Sequence, residues 1–383
     1  MAVATRSIAL LFAVSYLARI PVTAITLGLI LVLRESGRGY DLAGLATGAY
    51  VIGLSVTAPF IGRLADRFGA PRVFLMGAPL CTIGLLGLVA GADSLPVPAL
   101  LALATLTGAA LPPLGALTRG LMTPLLSEER RTRLFAIDAT AQELCFIGGP
   151  LVLAGLIAVG TASQALVVIA GMLAAGAVLY WGVARRLPRT STAGAEELGP
   201  APWRFGGLRA LLIVTVLVGA MFGAIELSIA AALEDHGSRD LAGTFLAIWS
   251  AGSLIGGLAA VRWPGRRLER RQQALLAGAT LSALLLVPAA TSPTLLAGAL
   301  FLHGFTQAPL MAVGYAIVPR VVEGRLSEAF SWLTSAVVGG IAIGTALAGS
   351  ASDAFGAGAG FLIGALAPAT ALGLALAFLR SAR

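Results

Sequence analysis

Apolar runs of about twenty residues or more recur twelve times along this 383-residue chain. They fall at roughly 7–33, 42–62, 73–92, 96–119, 133–158, 163–184, 208–233, 241–261, 272–290, 294–318, 328–350 and 356–379. A helix of that length crosses the ~30 Å hydrocarbon of a bilayer with every backbone bond satisfied internally. The runs lack the ten-residue alternation of a membrane barrel. Charged residues are 11% of the chain, against about 25% in a soluble domain, so water alone cannot be its solvent. The pattern predicts an all-α membrane protein of twelve spans, with lipid bilayer around it. The first run is too long for a signal-peptide core and reads as the first span.

Topology follows from the basic residues, all 26 of which are arginine. They crowd the loops on one side, from Arg63, Arg67 and Arg72 to Arg320 and Arg325, while the opposite loops hold Arg34, Arg38 and Arg239. The asymmetry predicts that both termini are cytoplasmic. No basic, aromatic-interleaved segment stands apart from the spans, so no nucleic-acid partner is expected. Cys81 and Cys145 lie inside apolar runs and read as buried thiols, and the two histidines are far apart. No metal and no cofactor are expected.

The polar stretch 185–207 separates six runs from six and reads as a cytoplasmic linker between bundles at 1–184 and 208–383. The bundles resemble each other. DLAG occurs at 41–44 and 240–243, and at that offset Tyr50 meets Trp249 and Gly53 meets Gly252. TGAALPPL (107–114) matches HGFTQAPL (303–310), pairing Gly108 with Gly304 and Pro113 with Pro309, and Phe135 falls opposite Phe330. A near-constant spacing of about 195–200 residues implies a duplicated six-helix unit.

After the second run the chain reads GRLADRFGAPRV (62–73). Gly62 permits close helix approach, Asp66 and Arg67 place opposite charges at the membrane face, Gly69 allows a tight turn, and Arg72 opens the third span. Gly62, Leu64, Asp66, Arg67, Gly69 and Arg72 resemble the signature G-x-L-x-D-R-x-G-R-R of the major facilitator superfamily, with Ala70 at its first basic position after the glycine. The resemblance implies two pseudo-symmetric six-helix bundles working by alternating access. It also implies a cytoplasmic gate in which Asp66 meets the N-terminal end of the eleventh helix. Arg119 and Asp138 are expected to join that gate. The matching second-half loop, VRWPGRRLERR (261–271), has Gly265 where Asp66 would fall, so one gate charge is missing there. Gly148, Gly149 and Pro150 resemble the Gly-Pro pair that packs the fifth helix of bacterial drug exporters. The exporters' fourth-helix arginine is Ala104 here.

Ionisable groups inside spans are functional candidates, because an unpaired charge in hydrocarbon costs several kcal/mol. Arg19 and Glu143 have matched depths and read as an ion pair, either a static lock or a site for substrate or proton. Asp138 and Gln142 share a helix face, and Glu143 is rotated about 140° from Asp138. Glu226 and His303, in the seventh and tenth spans, could carry a proton between them; the plainer reading of His303 is a helix–helix hydrogen bond. Gln142 and Gln307 are candidate substrate contacts. Tyr50, Trp249, Tyr315 and Trp332 are aromatic candidates for the cavity wall or for packing.

No HExxH, GxSxG or nucleotide-binding glycine loop is present, so an enzyme or an ATP-driven pump is not expected. The reading is a monomeric secondary transporter of the bacterial inner membrane, exporting a small amphipathic or drug-like molecule against inward proton flow. The alternatives are proton-coupled uptake of a small metabolite, disfavoured by the absence of asparagine, and a non-transporting receptor or structural relative.

Overall fold

The computed structural model describes residues 2–187, 199–238, 241–263 and 267–381. Arg189 and the middle of the linker, Arg239, Asp240, Gly265 and Arg266 lie outside the described residues. The described residues form helices and no strand: α1 (Ala2–Glu35), α2 (Tyr40–Phe68), α3 (Ala70–Ala90), α4 (Val97–Ala110), α5 (Leu114–Met122), α6 (Glu128–Ile157), α7 (Ala162–Ala184), α8 (Gly206–Asp235), α9 (Ala242–Ala260), α10 (Leu268–Ala289), α11 (Pro293–Gly304), α12 (Gln307–Val321), α13 (Leu326–Phe355) and α14 (Ala357–Ser381). They supply twelve elements long and apolar enough to cross a membrane.

Three expectations change. The stretch 62–73 is mostly helix, not loop: α2 runs to Phe68 and only Gly69, at φ 92°, separates it from α3. Glycine alone adopts that φ without strain. The fifth span begins at Glu128, five residues before its apolar run, because polar residues extend the helix past the hydrocarbon. The fourth and tenth spans are each two helices, α4–α5 and α11–α12. Pro112 and Pro113 remove two N–H donors from the fourth. The carbonyl of Ala109, which Pro113 cannot serve, accepts from Thr57 Oγ1 at 3.0 Å. In the tenth, Pro309 leaves the carbonyl of Phe305 without a helical donor.

Contacts sort the chain into two compact units. One holds Met1–Leu125, Leu144–Pro200 and Gly324–Thr334; the other holds Leu126–Glu143, Ala201–Glu323 and Ser335–Arg383. The border at Pro200 falls inside the expected linker 185–207, while the starts of α6 and α13 are exchanged. Lipid offers no hydrophobic drive between helices, so close approach of small residues does the packing. In the first unit a Cβ on Gly53 would lie 2.1 Å from the Thr105 carbonyl oxygen, and one on Gly108 within 1.9 Å of that of Tyr50. In the second, Gly252 meets the Phe301 carbonyl oxygen at 2.1 Å and Gly304 that of Trp249 at 2.2 Å. The crossing of α2 with α4 is thus repeated, residue for residue, where α9 crosses α11. Around the second crossing, Met221, Phe222, Ile225, Leu276, Leu286 and Phe361 form the apolar core.

Arg38 shows how an arginine of the sparse side is used. Its guanidinium donates to the carbonyls of Ala92, Asp93 and Leu95 at 2.8–2.9 Å, closing the end of α3.

Candidate functional site

In the first unit, the end of α2 holds the start of α13. Asp66 Oδ1 and Oδ2 accept from the backbone N–H groups of Ser327 and Glu328, each at 2.9 Å. These are the second and third residues of α13, whose first four N–H groups have no intrahelical acceptor. Asp66 therefore caps a helix more than two hundred residues away in sequence. The approach is possible because Gly62 has no side chain: a Cβ there would sit 2.6 Å from the Ser327 carbonyl oxygen. Gly120 on α5 closes the other flank, where a Cβ would lie 2.8 Å from Ser327 Cα. Arg119 stands over the Phe330 ring at 5.7 Å. The helix start is preceded by Gly324 and Arg325, both at positive φ, and Arg325 Nη1 lies 3.6 Å from Glu328 Oε2. Arg67, over the Phe68 ring, and Arg72 are exposed beyond this clasp.

Two buried guanidiniums flank Gly115 in the same unit. Its Cβ position lies 3.3 Å from Arg119 Nη2 and 3.4 Å from Arg19 Cζ, and Arg19 also covers the Tyr16 ring at 4.8 Å. Arg19, expected deep in its span, and Arg119, expected at the gate, meet at one glycine in the first unit. Gly149 packs α6 on α1, a Cβ there reaching 2.8 Å from the Ile20 carbonyl oxygen. Gly148 is only in ordinary contact with Ile20, and α6 continues through Pro150, so the close packing expected of that group belongs to Gly149.

In the second unit Glu143 is 5% exposed. Where the sequence reading paired it with Arg19, its bonds come from serines: Ser253 Oγ donates to Oε1 at 3.0 Å, and Ser250 adds a second hydroxyl. Ser253 Oγ also accepts from the Ala308 N–H at 3.1 Å, at the start of α12. Asp138, on the same helix, is buried. His303 is fully buried against α10, with Nδ1 2.9 Å from Ser282 Oγ and its ring 6.1 Å from that of Trp249. No bond joins it to Glu226 among the described residues, and Glu226 is exposed on α8. The expected proton pair gives way to a helix–helix bond at His303 and a separate carboxylate at Glu226, because α9 and α10 enclose the imidazole.

Gln307, half-buried, begins α12, and Gln142 is half-buried on α6. Of the aromatic candidates, Tyr50 and Trp249 sit at the two glycine crossings, Tyr315 packs edge-on against Phe135 at 6.4 Å, and Trp332 lies one turn past Glu328 on α13. Tyr50, Trp249 and Tyr315 are placed by packing. Sequence reasoning missed Ser253 and Thr57, each a small polar residue in an apolar helix whose hydroxyl meets a distant backbone group, and Ser327, whose own backbone N–H meets Asp66.

The second unit has its own contact at a helix start. Arg320, at the end of α12, bonds Glu128, which opens α6, and lies 3.3 Å from Glu269. A cavity of about 220 Å³ beside it is lined by Glu128, Arg131, Thr132, Ala316, Pro319 and Arg320.

Twelve membrane helices with broken fourth and tenth spans and a helix-capping aspartate are the frame of a secondary transporter. The family model of the Major Facilitator Superfamily matches residues 8–231 and 211–383. The chain belongs to that superfamily. Solved structures agree in fold. A bacterial homologue of the iron transporter ferroportin, in its outward-facing state, superposes with a TM-score of 0.82 at 15% identity, covering 98% of this chain and 100% of the other. The human organic anion transporter TETRAN gives 0.73 at 20% identity, covering 97% and 99%. The Escherichia coli fucose:proton symporter FucP gives 0.74 at 17%, covering 96% and 97%. No curated protein matches the chain in sequence.

Proposed function

We propose that this alternating-access transporter exports a small amphipathic or drug-like molecule in exchange for protons. The halves 1–184 and 208–383, joined by 185–207, work as its two bodies in a monomer of the bacterial inner membrane with both termini cytoplasmic. The observation that carries the reading is Glu143. It is a buried carboxylate in mid-span whose hydrogen bonds come from the neutral hydroxyls of Ser253 and Ser250, so it can take up a proton without either of those donors losing an ion pair. Glu226, exposed on α8, is the second proton carrier. Charged groups in spans persist where water or a partner reaches them. Gln142 and Gln307, both half-buried, supply the polar edges of a largely apolar substrate site.

The test uses purified protein in proteoliposomes with an imposed pH gradient and ethidium as probe. Wild-type protein moves ethidium against the proton gradient. Glu143→Gln and Glu226→Gln bind it but lose the dependence on the gradient. Gradient-driven transport unchanged in both variants would remove these residues from coupling, and movement of probe and protons in the same direction would replace export with uptake.

A further inference from the structure

We infer that Ser253 is a positioning residue that ties the Glu143 carboxylate to the break in the tenth span, so that acid and break respond together. The assignment deepens the transport reading, but its main test needs no transport.

A hydroxyl carries one proton and two lone pairs. At Ser253 the proton goes to Glu143 Oε1 at 3.0 Å and a lone pair takes the Ala308 N–H at 3.1 Å. In an unbroken helix that N–H would bond the Gly304 carbonyl; here it is one of the orphan donors at the start of α12. Ser253 is fully buried, Ala308 is 1% exposed and Glu143 5%, so bulk water cannot stand in for either bond. Removing the hydroxyl leaves two buried polar groups short of a partner at once.

The surrounding backbone fixes this geometry from three helices. A turn further along α9, a Cβ on Gly257 would meet Thr140 Oγ1 of α6 at 2.2 Å and the Ala308 Cβ of α12 at 3.1 Å. On the other side, a Cβ on Gly256 would lie 2.2 Å from the Phe305 carbonyl oxygen, the one that Pro309 cannot serve. One face of α9 therefore touches both the acid-bearing helix and the gap in the tenth span. The first half has the gap without the acid. At the same offset Ser253 corresponds to Leu54, Glu143 corresponds to Val338 in the other direction, and the freed carbonyl of Ala109 is served by Thr57 alone. The serine link is particular to the second half.

The experiment measures hydrogen exchange of the full chain in nanodiscs, following peptides over 303–312, with 110–118 as the control break. Ser253→Ala raises exchange at the start of α12 about tenfold, the effect of one net hydrogen bond, and leaves the start of α5 unchanged. Glu143→Ala gives a smaller rise, and the double variant matches Ser253→Ala alone, because the two act through one link. Ser253→Thr, which keeps the hydroxyl, restores protection. Unchanged protection in Ser253→Ala, or single-variant effects that simply add, would overturn the assignment. Should Ser253→Ala not fold, Glu143→Gln, which keeps an oxygen facing the serine, must protect α12 better than Glu143→Ala; equal exchange sinks the link. In ethidium transport Ser253→Ala lowers turnover with KM unmoved, a split that a purely structural role does not produce. Coupled exchange without any ethidium movement would leave the link standing and discard the export reading.

Discussion

The starts of α13 and α6 occupy matching places in their units and are held in opposite ways. At α13, glycines at 62 and 120 press backbone against Ser327 and Ser331, Phe330 lies under Arg119, and Asp66 caps the helix. At α6, the corresponding residues are larger on one side and smaller on the other. Val261 packs beside Ala136, Phe135 meets Tyr315, and Ala316 with Thr132 lines a cavity where Gly120 and Ser327 touch. The ionic element there is the exposed contact of Arg320 with Glu128 and Glu269. A half-buried cap with two fixed hydrogen bonds stabilises by about 1–2 kcal/mol; exposed ion pairs contribute about 0–1 kcal/mol and are screened by salt. Duplication supplied two helix starts, and only one kept the tight clasp.

The comparison breaks most readily at Gly120. Gly120→Ala drives a Cβ into Ser327, and overpacking of this kind costs about 1–3 kcal/mol; Ala316→Gly, its counterpart, costs under about 1 kcal/mol, as thermal unfolding in detergent will report. Equal losses would mean that the two helix starts are packed alike. Next comes Asp66→Ala, which removes about 1–2 kcal/mol of capping and raises maleimide labelling of a Ser331→Cys reporter, whereas labelling that stays flat would remove Asp66 from the clasp. The smallest effect is that of Arg320→Ala, at most about 1 kcal/mol and absent in 1 M salt; a loss that persists in high salt would show this contact to be more than a surface pair.

Much of this was legible in the sequence because it depended on short-range periodicity. Span number followed from run length, and the paired glycines at 53 and 252, and at 108 and 304, followed from the repeat. Asp66 was legible through its motif. What escaped was whatever two distant segments decide together. PP at 112–113 announces a missing donor, but only the structure shows that Thr57 replaces it. Glu143 announces a need for a partner, and matched depth suggested Arg19. The bonds came instead from serines more than a hundred residues on, which look like any small residue in an apolar helix. The pairing of Glu226 with His303 failed for a similar reason: helix membership fixes depth, but neighbouring helices fix which way an imidazole is enclosed.

The broken spans bear on how the molecule is made. α4 has 14 residues, α5 has 9, α11 has 12 and α12 has 15. At 1.5 Å per residue even the longest reaches only about 22 Å, short of the ~30 Å hydrocarbon. None of these pieces can enter a bilayer alone, whereas the 29-residue stretches Val97–Leu125 and Pro293–Val321 can. Each must therefore cross the bilayer as one stretch, with a backbone group at its break served by a hydroxyl of the neighbouring α2 or α9. Thr57 and Ser253 thus supply what lipid cannot, one a donor to the Ala109 carbonyl and the other an acceptor for the Ala308 N–H.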